Sequence, residues 1–77
     1  MELKETVAQI IQEELGDYVE GIRFTGPYES EEFDVSITLR DEPDDFEERN
    51  TRLYYRVWQL GHDIILFMEY PEETITV

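Results

Sequence analysis

Apolar and polar positions recur along this chain with two different periods, and the switches between them lay out its elements. Leu3, Val7, Ile10, Ile11 and Leu15 fall at helical spacing, while Glu2, Glu5, Gln9, Gln12 and Glu13 fall largely on other faces. Residues 2–15 therefore read as an amphipathic helix. Gly16 suits the position just beyond its end, where a left-handed backbone costs glycine least. Period two follows. In VEGIRFT, residues 19–25, Ile22 and Phe24 share one face and Arg23 and Thr25 the other. Gly26-Pro27 breaks that strand. In FDVSITL, residues 33–39, Phe33, Val35, Ile37 and Leu39 alternate with Asp34, Ser36 and Thr38, the clearest strand pattern in the chain. The two strands predict an antiparallel hairpin with one face on a core and the other toward water.

The helical period returns in PDDFEERNTRLYYRVWQLG, residues 43–61. Phe46, Leu53, Val57 and Leu60 make its apolar stripe, which Tyr54 and Trp58 extend on one side. Pro43 fits a first turn. Asp44 followed by Glu47 resembles a capping box, and acids there favour the positive end of the helix dipole. Gly61 marks the stop. Residues 63–69, DIILFME, are apolar almost throughout, which predicts a central strand. Pro71 and Glu72 read as a turn, and Thr74 to Val77 alternate as a short fourth strand. The order is α-β-β-α-β-(β). It predicts a single small α+β domain over residues 1–77, with a mostly antiparallel sheet and two helices packed on one of its faces.

Composition narrows the function classes. At 77 residues there is room for one small core, so each large apolar side chain matters. No cysteine is present, which excludes disulfides and thiolate chemistry. His62 is the lone histidine, a poor start for a zinc site. No apolar run reaches the roughly 20 residues of a membrane helix, and the acidic, amphipathic N-terminal segment is unlike a signal peptide. A cytoplasmic protein without a cofactor is the expectation. Twenty acids against six bases give a net charge of −14. Such a surface repels nucleic acid and anionic membranes and attracts basic proteins or divalent cations. Salt-adapted proteins share this imbalance, although they favour Ala over Ile, and here Ile is common and Ala8 stands alone.

Half the acids lie in residues 29–48, with Arg40 the single base among them. Asp41, Glu42, Asp44, Asp45, Glu47 and Glu48 crowd the start of the second helix. Hard cations take six to eight oxygens, so a calcium-binding module is one reading. The EF-hand loop pattern is absent, because DEPDDFEERNTR has Phe46 where that loop needs Gly and ends in Arg. On the same helix Arg49, Arg52 and Arg56 share one side. Asp45 with Arg49 and Glu48 with Arg52 are spaced to pair at i,i+4 in the favourable orientation. Asn50 falls within the apolar arc, where a buried amide needs a partner. Tyr55 projects away from the arc and Trp58 lies at its margin. Exposed aromatics beside Arg are typical of interfaces, although a margin Trp also covers core edges.

Gly26, then Asp34-Val35-Ser36, then Asp63 at the start of the third strand carry a resemblance in element order to the minimal nucleotidyltransferase fold, over residues 3 to 69. That family pairs Gly with Ser after its first strand and sets two Asp one residue apart on the second. Here Pro27 follows Gly26 and Ser36 stands at the second Asp position. The resemblance implies a degenerate nucleotidyltransferase-like domain with weak or no catalysis. The pattern as a whole predicts instead a non-enzymatic acidic interaction domain that binds a basic protein surface as a nucleic-acid mimic or inhibitor. Its candidate binding residues are Glu29, Glu31, Glu32, Asp41, Glu42, Asp44, Asp45, Glu48, Tyr55 and Trp58. Direct nucleic-acid or membrane binding is not expected. Monomer and homodimer both fit, the latter through Tyr55 and Trp58 or through an edge strand.

Overall fold

The computed structural model of the chain describes residues 2–27 and 31–70. The first apolar stripe becomes helix α1, Leu3–Leu15, which buries Val7, Ile10, Ile11 and Leu15. Glu2 is its N-cap without a side-chain cap, and the Glu2 carbonyl accepts from the Thr6 N–H at 3.0 Å. Gly16 is right-handed, at φ −38° and ψ −54°, and opens a 3-10 turn over Gly16–Tyr18. That turn ends the helix in place of the expected left-handed cap. It leads directly into β1, Val19–Thr25, which pairs antiparallel with β2, Phe33–Leu39. The register runs from Ile22↔Ile37 to Thr25↔Asp34, with an irregularity between Val19 and Gly21. Ile22 and Phe24 lie on the core side, where Phe24 meets Phe33 edge-on at 5.7 Å between ring centroids.

Helix α2 spans Phe46–Trp58, shorter at both ends than the 43–61 expected. Pro43 is buried ahead of it, and its carbonyl accepts the Phe46 N–H at 3.0 Å. Asp45 is the N-cap, but its carboxylate bonds the Arg49 guanidinium and caps no backbone group, so the Asp44–Glu47 capping box does not form. At the far end the Leu60 and Gly61 N–H groups bond the Val57 and Trp58 carbonyls. Gly61, at φ 78°, then turns the chain as expected of glycine.

Because α2 forms the crossover, β3, Ile64–Glu69, can return parallel to β2, in register from Phe33↔Ile64 to Thr38↔Glu69. The sheet is mixed, with order β1-β2-β3. The apolar run of β3 therefore does not mark a central strand. β2 is the central one, buried at all but one of its positions, and β3 lies at the edge among the described residues. Leu66 is buried and Ile64 and Met68 pack against the core, while Ile65 and Phe67 are exposed on the opposite face. The core joins Val7, Ile10, Ile11 and Leu15 of α1 and Leu53 and Val57 of α2 to Phe33, Val35, Ile37 and Leu39 of β2. Among the described residues the result is an α+β domain of two helices packed on one face of a three-stranded sheet. The fourth strand expected at 74–77 and the turn at 71–72 lie outside the described residues.

Candidate functional site

The arginines of α2 are turned toward α1. Arg49, Arg52 and Arg56 lie along the edge of α2 that faces α1. Arg49 Nε bonds Asp45 Oδ1 at 2.7 Å and Arg49 Nη1 donates to the Glu14 carbonyl at 3.2 Å, with the guanidinium 5.5 Å from the Tyr18 ring centroid. Arg52 Nε reaches Glu14 Oε1 at 2.8 Å, so Arg52 pairs across to α1 and the expected pair with Glu48 is not made. Arg56 holds Glu14 Oε2 at 3.1 Å and Glu13 Oε1 at 2.5 Å. The Arg52 hydrogen bond, joined by Arg56, holds the Glu14 carboxyl below the ordinary glutamate range, and Arg56 does the same for Glu13. Lys4 sits 5.8 and 5.7 Å from the Phe24 and Phe33 ring centroids, a cation–π arrangement. Arg23 approaches Glu69 at 4.0 Å.

The start of α2 is where acids outnumber the bases that reach them. Glu42, Asp44, Asp45, Phe46, Glu47 and Glu48 line a shallow concavity of ≈ 440 Å³. Asp44, Glu47 and Glu48 are exposed and make no hydrogen bond or ion pair among the described residues. Asp41 Oδ1 accepts the Glu42 N–H at 2.8 Å, and Glu42 Oε1 accepts from the Tyr70 hydroxyl at 3.0 Å. Asp41, Glu42, Asp44, Asp45 and Glu48 of the sequence-derived set are thus brought together, with Glu47 added to them. Among the described residues Asp45 is the one of these acids in an ion pair with a base, and Glu48 lies in the field of Arg52 without touching it.

Glu32, Tyr55 and Trp58 lie elsewhere, toward the other end of α2. There Glu32, Trp58, Gly61, His62 and Asp63 line a notch of ≈ 400 Å³. Trp58 is 75% exposed and so does not cover the core edge. Tyr54 is the residue tied to the sheet, through its hydroxyl to the Leu66 carbonyl at 3.0 Å. Tyr55, also exposed, lies 6.2 Å from Trp58 between ring centroids at 32°. His62 Nδ1 contacts Glu32 Oε1 at 2.5 Å, and the Glu32 N–H donates to the Asp63 carbonyl at 2.7 Å. The Asp63 side chain makes no hydrogen bond or ion pair among the described residues.

Glu31 does not stand among the exposed acids. It is buried, and it faces Asp34, which is 3% exposed where a solvated strand position was expected. Asp34 is central in the sheet, paired with Thr25 on one side and Ile65 on the other. A Cβ on Gly26 would lie 3.2 Å from Asp34 Oδ2 and 3.4 Å from Glu31 Oε2, so both carboxyls crowd the turn that ends β1. Burial first, then the hydrogen bond and charge of Glu31, push the Asp34 carboxyl above the ordinary aspartate range. Asp34 Oδ1 and Asn50 Oδ1 are buried without a partner among the described residues. Gly26 and Asp34 do come together, but the register sets Ile65 beside Asp34, with Asp63 ahead of the strand. Among the described residues no group of three or more His, Asp or Glu is placed to hold a metal ion. Glu29 lies outside the described residues.

Sequence reasoning missed the Glu31–Asp34 pair, which depends on how the chain turns at Gly26. It also left His62 and Asp63 out of the binding set, although both stand at the end of the helix that carries Trp58. No protein-family model matches the chain, and neither a curated protein nor a solved structure matches it significantly. Among the described residues no helix is long and apolar enough to cross a membrane.

Proposed function

We propose that this domain is a non-enzymatic interaction module whose acidic shelf at the start of α2 docks a basic protein surface. One observation carries the reading: the arginines of α2 are held by Glu13, Glu14 and Asp45, while Asp44, Glu47 and Glu48 face solvent and make no ion pair among the described residues, Arg52 acting on Glu48 only at longer range. Carboxylates arrayed over residues 41–48 present the charge that a phosphate backbone presents. A protein built to bind nucleic acid is the class of partner they fit, and the domain would act on it as a mimic or inhibitor. The same charge disfavours nucleic acid itself and anionic membranes.

Titration against basic nucleic-acid-binding proteins of the same cell tests this. Binding is expected at low salt and is expected to weaken steeply as salt rises, because screening acts on exposed charges. The triple substitution D44N/E47Q/E48Q is expected to weaken binding and flatten that salt dependence. No affinity at low salt would refute the proposal. Titration with ATP and Mg²⁺ separates it from a nucleotidyltransferase-like reading, for which chemical shifts would change at Gly26, Asp34 and Asp63.

A further inference from the structure

The C-terminal end of α2 offers a different kind of surface from its start. Trp58 is the most exposed of the large apolar side chains among the described residues and is the sole tryptophan of the chain. With Tyr55 it makes an aromatic ledge beside the notch formed by Glu32, Gly61, His62 and Asp63. Aromatic faces carry negative quadrupole potential and attract cations. The helix ends here, so its negative dipole end adds to the same field. Arg56, the base of the last turn, is directed to Glu13 and Glu14 and does not neutralise it. Glu32 holds His62 through Oε1, while the Asp63 carboxylate is without a counter-ion among the described residues. A Cβ on Gly61 would meet nothing within 4 Å, so the floor of the notch is open.

We infer that this notch receives an arginine side chain of the basic partner, with the guanidinium over Trp58 and its donors directed to Asp63 and Glu32. Arginine fits better than lysine because its planar group both stacks on an aromatic face and forks onto a carboxylate. This rests on the basic-partner reading and sharpens it. Phe46 and Trp58 are twelve residues apart on one helix, so shelf and notch are separated by about 18 Å at 1.5 Å per residue. A partner engaging both presents cations at about that separation, which five or six residues of extended chain span at roughly 3.3 Å each.

The position of Trp58 makes its fluorescence a direct readout of the notch. The full chain is titrated with a blocked Arg-Gly repeat peptide and with its Lys-Gly counterpart, and backbone amide shifts are followed in parallel. The expected result is a saturable change in Trp58 emission, tighter for the arginine peptide and weakened in D63N, which keeps the fluorophore. Binding by W58A, measured by the amide shifts, should be about 2- to 30-fold weaker, the range that cation–π contacts span. Circular dichroism checks that both variants remain folded. Amide shifts at residues 44–48 with Trp58 and residues 61–63 silent would overturn the inference and leave the shelf reading standing. Silence at both ends would remove both. Equal response to the two peptides, or an unchanged affinity in D63N and W58A, would also overturn it.

Discussion

Replacing Glu14 with Gln probes the clamp that turns the arginines inward. Glu14 Oε1 and Oε2 accept from Arg52 and Arg56 at 2.8 and 3.1 Å, and the side chain is only 12% exposed. A hydrogen bond to a charged group contributes about 1.5–3 kcal/mol when shielded, whereas an exposed ion pair contributes about 0.2–1 kcal/mol. Arg52 and Arg56 are 54% and 36% exposed, so the pairs fall between these limits. Gln keeps one oxygen acceptor and removes the charge. The expected loss is about 1–2 kcal/mol, which for a domain of this size lowers Tm by roughly 4–16 °C. Glu13→Gln is the control, because its side chain is 46% exposed and its pair is screened by solvent, so its loss should be clearly the smaller of the two. Urea unfolding should be followed by far-ultraviolet circular dichroism, since an exposed Trp58 reports little on core melting. The pH dependence has a definite sign. A carboxyl held below its ordinary value adds stability above that value and loses it as pH falls through the folded-state value. Glu14→Gln should therefore flatten the acid limb of the stability curve. Equal losses for the two variants, or a Glu14→Gln loss that vanishes in high salt, would refute the view that Glu14 is a shielded hinge between α1 and α2.

Asp34→Asn should act with the opposite sign. The folded-state value of Asp34 is raised, so its contribution is fullest below the ordinary aspartate value and is lost as pH rises through the folded one. The variant is expected to be more stable than the parent at neutral pH, with the gain shrinking toward pH 4, as read from urea midpoints across that range. Gly26→Ala should cost about 1–2 kcal/mol for placing a Cβ at φ 81°, where left-handed backbone is strained. The approach to Asp34 Oδ2 at 3.2 Å adds to that cost, and the Tm measures it.

Element identity was legible because both periods are clean. The strands at 19–25 and 33–39 stand where alternation placed them, and α1 differs by one residue. Strand order was not legible, since an apolar run such as IILF satisfies an edge strand with one face on helices as well as a central strand. The burial of Asp34 was hidden for a related reason. Alternation told which face it occupies, but the exposure of that face depends on flanking strands, and β2 has one on each side. The acidic shelf was visible as a run of letters. Its scarcity of ion pairs was not, because local spacing offered Arg52 to Glu48, and the longer reach to Glu14 prevailed. Glu14 is the better partner because it is shielded, where a charge pair is screened less.

That preference sets how folding and binding are linked. Directing Arg52 and Arg56 to the shielded Glu14 neutralises charge along the α1–α2 seam and leaves like charge concentrated where it is exposed. Self-repulsion across Asp41–Glu48 opposes the folded state, and salt relieves it. The same salt screens a basic partner. Stability should therefore rise with ionic strength while affinity falls, and a cationic partner should raise Tm most at low salt, where it supplies the missing counter-ions. Were the shelf only a solvated helix start, the first dependence would remain without the second. The opposing pair of salt dependences, measured on one preparation, thus distinguishes a charge arrangement kept for a partner from one that is merely tolerated.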